Sequence, residues 1–81
     1  MKVIKNTFPK YPNVAHGEEG DICHWELIKG TYSLIRESDG KCVFRTPDVD
    51  KEGKLRSNGK LPVLCGIIAE NKSKGYMFII E

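Results

Sequence analysis

At 81 residues, with 40 % hydrophobic and 30 % charged side chains, the chain has room for one domain (1–81) with a small core, since only roughly 60 % of the unfolded surface is buried at this size. No apolar run approaches the ~20 residues that span a bilayer, and Met1 to Phe8 lacks the apolar stretch of a secretory leader, so the reading is a cytoplasmic protein without a membrane segment. A net charge of +2 from 13 basic and 11 acidic side chains is too balanced to imply nucleic acid by itself.

Val3 to Phe8 is apolar at both ends and predicts a short N-terminal strand, which Pro9 and Pro12 end because proline donates no backbone hydrogen bond. Ala15 to Gly20, with two glycines and the paired Glu18-Glu19, predicts a loop. The next stretch supports two readings. Ile22, Trp25 and Ile28 recur at helical spacing between Asp21 as an N-cap and Gly30 as a stop, which gives a short helix at about 21–29 and an α+β fold. Cys23, Trp25 and Leu27 also alternate against His24 and Glu26, as a strand requires. The strand is preferred, because Lys29-Gly30 joins it directly to another strand pair and makes a meander.

That pair is Thr31 to Arg45, two β-prone stretches flanking Ser38-Asp39-Gly40, where Asp-Gly tolerates the positive φ of a tight turn. Its alternation places Tyr32 and Leu34 on one face, with Cys42 and Phe44 as inward companions. Pro47 to Lys60 is almost devoid of apolar side chains and predicts a long polar loop. Pro62 to Ala69 and Gly75 to Ile80 then predict two apolar strands around a turn at Glu70 to Lys74, central in a sheet or closing a barrel, with Gly66 marking a bulge or bend.

Motif chemistry is sparse. Asp48-Val49-Asp50-Lys51-Glu52-Gly53-Lys54-Leu55 follows the opening of a calcium-binding EF-hand loop, but the twelfth position, where a bidentate glutamate closes the shell, is Gly59, and Lys54 and Arg56 oppose a cation. His16, Cys23, His24, Cys42 and Cys65 are zinc ligands in kind, yet none are paired at Cys-x-x-Cys or His-x-x-x-His spacing. Three cysteines read as reduced and mostly buried, and the apolar neighbours of Cys65 predict an inert thiol. Adjacent Cys23 and His24 point to opposite faces of a strand and cannot form a nucleophile–base pair. The expectation is no enzyme, no metal and no cofactor.

Two surfaces remain as candidates. Glu18, Glu19 and Asp21, with Trp25 nearby, form an acidic and aromatic set suited to a protein contact. Lys51, Lys54, Arg56 and Lys60 in the polar loop, with Lys72 and Lys74 in the last turn, offer a basic rim for nucleic acid, though no aromatic residue is interleaved to stack bases.

The run Glu18-Glu19-Gly20-Asp21-Ile22-Cys23-His24-Trp25, followed by Tyr32-Ser33-Leu34-Ile35-Arg36-Glu37-Ser38-Asp39-Gly40-Lys41, is similar to small bacterial and phage-encoded SH3-like β-barrel proteins. The resemblance covers residues 14–46, departs in the long segment after Arg45 and carries over no ligand residues. It implies an all-β, partly open barrel of five to six antiparallel strands and a phage or mobile-element context. The function expected is a non-enzymatic module that binds a partner protein, as an inhibitor or regulator of a host protein. The alternative is a nucleic-acid-binding barrel using the basic loops at 51–60 and 72–74.

Overall fold

The computed structural model describes residues 1–29, 31–46 and 65–81. They form six antiparallel strands, β1 (Val3–Asn6), β2 (Cys23–Ile28), β3 (Thr31–Arg36), β4 (Cys42–Thr46), β5 (Gly66–Asn71) and β6 (Tyr76–Ile80). These make two three-stranded sheets, ordered β1-β6-β5 and β2-β3-β4. The start of the chain stitches the sheets together. Lys2 exchanges both backbone hydrogen bonds with Glu81 (2.8 and 2.9 Å), while Cys23 donates to the Met1 carbonyl (2.8 Å) and Val3 to that of Asp21 (2.9 Å). A ladder thus runs β5-β6-β1-β2-β3-β4, a partly open barrel, as the sequence predicts.

β2 settles the ambiguous stretch as a strand, paired with β3 in unbroken register from Cys23↔Arg36 to Ile28↔Thr31. Cys23 and Trp25 turn inward, where Cys23 is buried and Trp25 packs against the core, and His24 and Glu26 turn out. The pairing with β3 decides for the strand, although the alternation holds only for Cys23 and Trp25: Leu27, its third member, is 55 % exposed. The β3–β4 hairpin closes as expected, with Gly40 at φ 70° and Arg36 donating to the Lys41 carbonyl at 2.9 Å.

Three register shifts depart from simple alternation. In β4 the partner of Leu34 is Phe44 and that of Ile35 is Cys42, so Val43 is an extra residue. Val43 is buried in the core and Phe44 packs against it, whereas Cys42 sits opposite Ile35 on the other face. The inward place expected for Cys42 therefore belongs to Val43. In β5 the shift falls between Ile67 and Ala69, and both Ile68 and Ala69 pack on the core. The third lies between Val3 and Lys5 in β1.

The core is Val3, Cys23, Leu34, Val43, Phe78 and Ile80. Of the last two strands, β6 is central, between β1 and β5, as its apolar run predicts; β5, as described, pairs with β6 alone and leaves Ile67 49 % exposed. Hydrophobicity alone therefore overstated the burial of β5. All three cysteines are free, but only Cys23 is buried; Cys42 is half-buried and Cys65 exposed. The expectation of mostly buried thiols fails because Cys65 lies just ahead of β5, outside the packed layer.

Candidate functional site

The loop from Thr7 to Ile22 is held at both ends by specific bonds. Thr7 donates its amide to the Met77 carbonyl (3.0 Å) and its Oγ1 accepts from the Met77 amide (2.8 Å). Asn6 Nδ2 donates to the Gly17 carbonyl (2.8 Å), and Ala15 donates to the Cys42 carbonyl (2.9 Å), so the loop lies against β4. Gly17 is the point of closest approach. A Cβ there would sit 3.1 Å from Phe78 Cζ and 3.5 Å from Val43 Cβ, tighter than ordinary contact with the ring.

Arg36 anchors the second half of this loop. Its Nη1 donates to the His16 carbonyl (3.0 Å) and to Asp21 Oδ2 (3.1 Å), while Nε and Nη2 form a two-bond grip on Asp39 Oδ1 and Oδ2 (3.1 and 2.8 Å). Asp21 Oδ2 also accepts from the Glu18 amide at 2.9 Å. The acidic set of the sequence is thereby divided. Asp21 closes the loop, Glu18 and Glu19 are exposed beside it, and half-buried Trp25 packs edge-on against Phe44 with ring centroids 6.1 Å apart.

Lys72 and Lys74 are exposed in the β5–β6 turn. Lys51, Lys54, Arg56 and Lys60, and the EF-hand-like run at 48–55, lie outside the described residues. Among the described residues no three His, Cys, Asp or Glu side chains are placed to hold a metal ion, and no helix is long and apolar enough to cross a membrane.

A cavity forms where the barrel is open. Between the 8–16 loop on one side and β4, β5 and β6 on the other lies a cleft of about 450 Å³, in the range of small-ligand and side-chain sites. Its floor is Val43, Phe44, Ala69 and Phe78, and its wall is Phe8, Tyr11 and Ala15. The aromatics brace one another: Phe44 and Phe78 stand 5.7 Å apart, Phe8 and Tyr76 5.5 Å, and Phe8 and Tyr11 6.4 Å. Lys10 and Arg45 stand at the mouth, and both also border a shallower depression with Lys41. Among the described residues that line either hollow there is no carboxylate.

No protein-family model, curated protein or solved structure matches the chain. A mostly apolar concavity with a one-signed mouth favours a ligand with an apolar body and a negative edge, because the cations add attraction and the floor adds dehydration.

Pro9 and Pro12 end the first strand, and with Phe8 and Tyr11 they also build the cleft wall. The signal was present in the sequence: Phe8-Pro9-Lys10-Tyr11-Pro12 interleaves aromatic and proline residues with a cation. Proline fixes φ, so such a run holds a wall at small entropic cost.

Away from the cleft, His24 is clamped between Glu37 (Nδ1 to Oε1, 2.6 Å) and Glu26 (Nε2 to Oε1, 3.2 Å), an arrangement that the protonated ring satisfies with both nitrogens as donors. The bonds to Glu37 and then Glu26 raise its pKa. A raised folded value means stabilisation that is complete below the unfolded pKa of about 6.5 and is lost as pH rises through the folded pKa. Asp39 behaves oppositely: Arg36 and the Lys41 amide hold it at about 2, so its contribution is present above the ordinary value and lost as pH falls through about 2. Urea midpoints measured from slightly acidic to slightly alkaline pH should decline in the wild type and lose that decline in His24→Gln; identical slopes would show that the clamp does not form.

Proposed function

We propose that the protein is a cytoplasmic, non-enzymatic interaction module that takes a segment of a partner protein into the cleft between the 8–16 loop and β4. The occupant is an aromatic or branched apolar side chain with one or two carboxylates beside it. The observation that carries this reading is the pairing of a floor that includes Phe44 and Phe78 with a mouth of Lys10 and Arg45 and no carboxylate among the described lining residues. Three free thiols support a reducing compartment. The burial that pushes the Cys23 thiol pKa up supports a structural rather than nucleophilic cysteine. Binding of this kind acts by occupancy, which suits an inhibitor or regulator.

A displayed random-peptide library panned on the purified protein tests the proposal. Enriched sequences should share an apolar anchor flanked by Asp or Glu. Their affinity should fall by about tenfold or more in Ala15→Leu, which fills the cleft from its wall, and in Lys10→Glu, which reverses the mouth. Both variants should keep the wild-type free energy of unfolding within about 1 kcal/mol. No enrichment, or peptides that bind both variants as well as wild type, would overturn the reading. Salt-sensitive retention on single-stranded DNA in the absence of any enriched peptide would replace it with the nucleic-acid alternative, to which exposed Lys72 and Lys74 would contribute.

A further inference from the structure

The outer face of the β1-β6-β5 sheet carries apolar side chains where alternation places solvent. Ile67 of β5 is 49 % exposed and pairs with half-buried Ile79 of β6, and Ile4 of β1 is 38 % exposed. Half-buried Met77 continues the same face of β6, two residues before Ile79. Apolar residues grouped on one sheet face, unlike singly scattered ones, mark an association surface.

The charges on this face select the partner. Lys5 on β1 pairs with Ile79, and Glu70 on β5 pairs with Met77; both are exposed. The cation and the carboxylate therefore occupy opposite corners of the patch, two strand spacings apart (about 9.6 Å) and one same-face step along the strands (about 6.8 Å). Their midpoint falls between Ile79 and Met77. A two-fold axis lying against the sheet through that midpoint, perpendicular to the line joining the corners, sets Lys5 of each copy over Glu70 of the other. The same operation brings Ile67 of each copy to within about 3 Å, in projection, of the position of Ile79 in the other, so apolar meets apolar at the centre. One surface patch is complementary to itself.

We infer that this face is the docking surface for a second copy of the chain, giving a two-fold homodimer. Ala69 and Phe78 line the cleft from the inner side of the same sheet, so the dimer leaves both clefts accessible and makes the particle bivalent.

Sedimentation velocity on the full chain, from about 1 μM to about 1 mM, should show a monomer–dimer equilibrium. Ile67→Glu, at an already exposed position, should raise the dissociation constant by about tenfold or more. Lys5→Glu and Glu70→Lys should each raise it by about threefold or more, and the double exchange should return it to within about twofold of wild type. A monomer throughout the range, a dimer indifferent to Ile67→Glu, or a double exchange no better than the single ones would overturn the inference. None of these readouts depends on peptide binding in the cleft.

Discussion

Replacing Phe78 with alanine is expected to lower the free energy of unfolding by about 3–5 kcal/mol. The ring is 3 % exposed, packs at a tilt with its centroid 5.7 Å from that of Phe44, meets Gly17 closely and forms part of the cleft floor. Its removal subtracts transfer energy and joins a new void to the cleft, because the loop pinned through Asn6 and Ala15 cannot settle into the space. A domain of this size holds roughly 4–12 kcal/mol in total, so the loss takes a large share of it. The urea midpoint should drop steeply with little change in slope, and Phe78→Leu should recover more than half of the difference. A loss below about 1 kcal/mol in the alanine variant would mean that the ring is not packed between the sheet and the loop.

Arg36→Met is expected to cost about 1–2 kcal/mol and to act beyond its own strand. Methionine keeps the apolar stem but removes donors to Asp21, Asp39 and the His16 carbonyl at one stroke. The Arg36 side chain is 15 % exposed, so these bonds are only partly screened, and the His16 carbonyl and Asp21 are left without this donor. Amide exchange should accelerate at Glu18, whose N–H is held by Asp21, while the amides of β6 keep their protection. Unchanged exchange at Glu18 would show that the loop does not depend on Arg36.

The sequence made the meander legible because Asp39-Gly40 and the alternation from Cys23 to Leu27 are local signals, and local signals survive without knowledge of packing. Bulges are less readable. Val43 follows Cys42 as one more β-former, and only the paired strand decides that Val43 and Phe44 both face inward. Gly17 looked like loop punctuation, although its actual role is to let the loop backbone approach Phe78. The role of Asp21 was unreadable for a similar reason: it is held by Arg36, a residue 15 positions away whose partner choice is tertiary. The cleft was hidden most deeply, since its floor comes from β4, β5 and β6 and its wall from a segment that propensity describes only as broken. Sequence separation, not weak chemistry, concealed it.

Amide chemical-shift mapping with 4-phenylbutyrate, a ring and a carboxylate joined by a short chain, shows whether the cleft takes an apolar anchor with an adjacent negative charge. At millimolar ligand the shifts should concentrate on Ala15, Val43, Phe44, Ala69 and Phe78 and at the cationic residues Lys10 and Arg45, saturate, and vanish in Ala15→Leu. The uncharged amide, 4-phenylbutyramide, should bind several-fold more weakly. Shifts that do not saturate, that scatter over the outer sheet faces, or that persist unchanged in Ala15→Leu would mean that the cleft does not bind such a ligand.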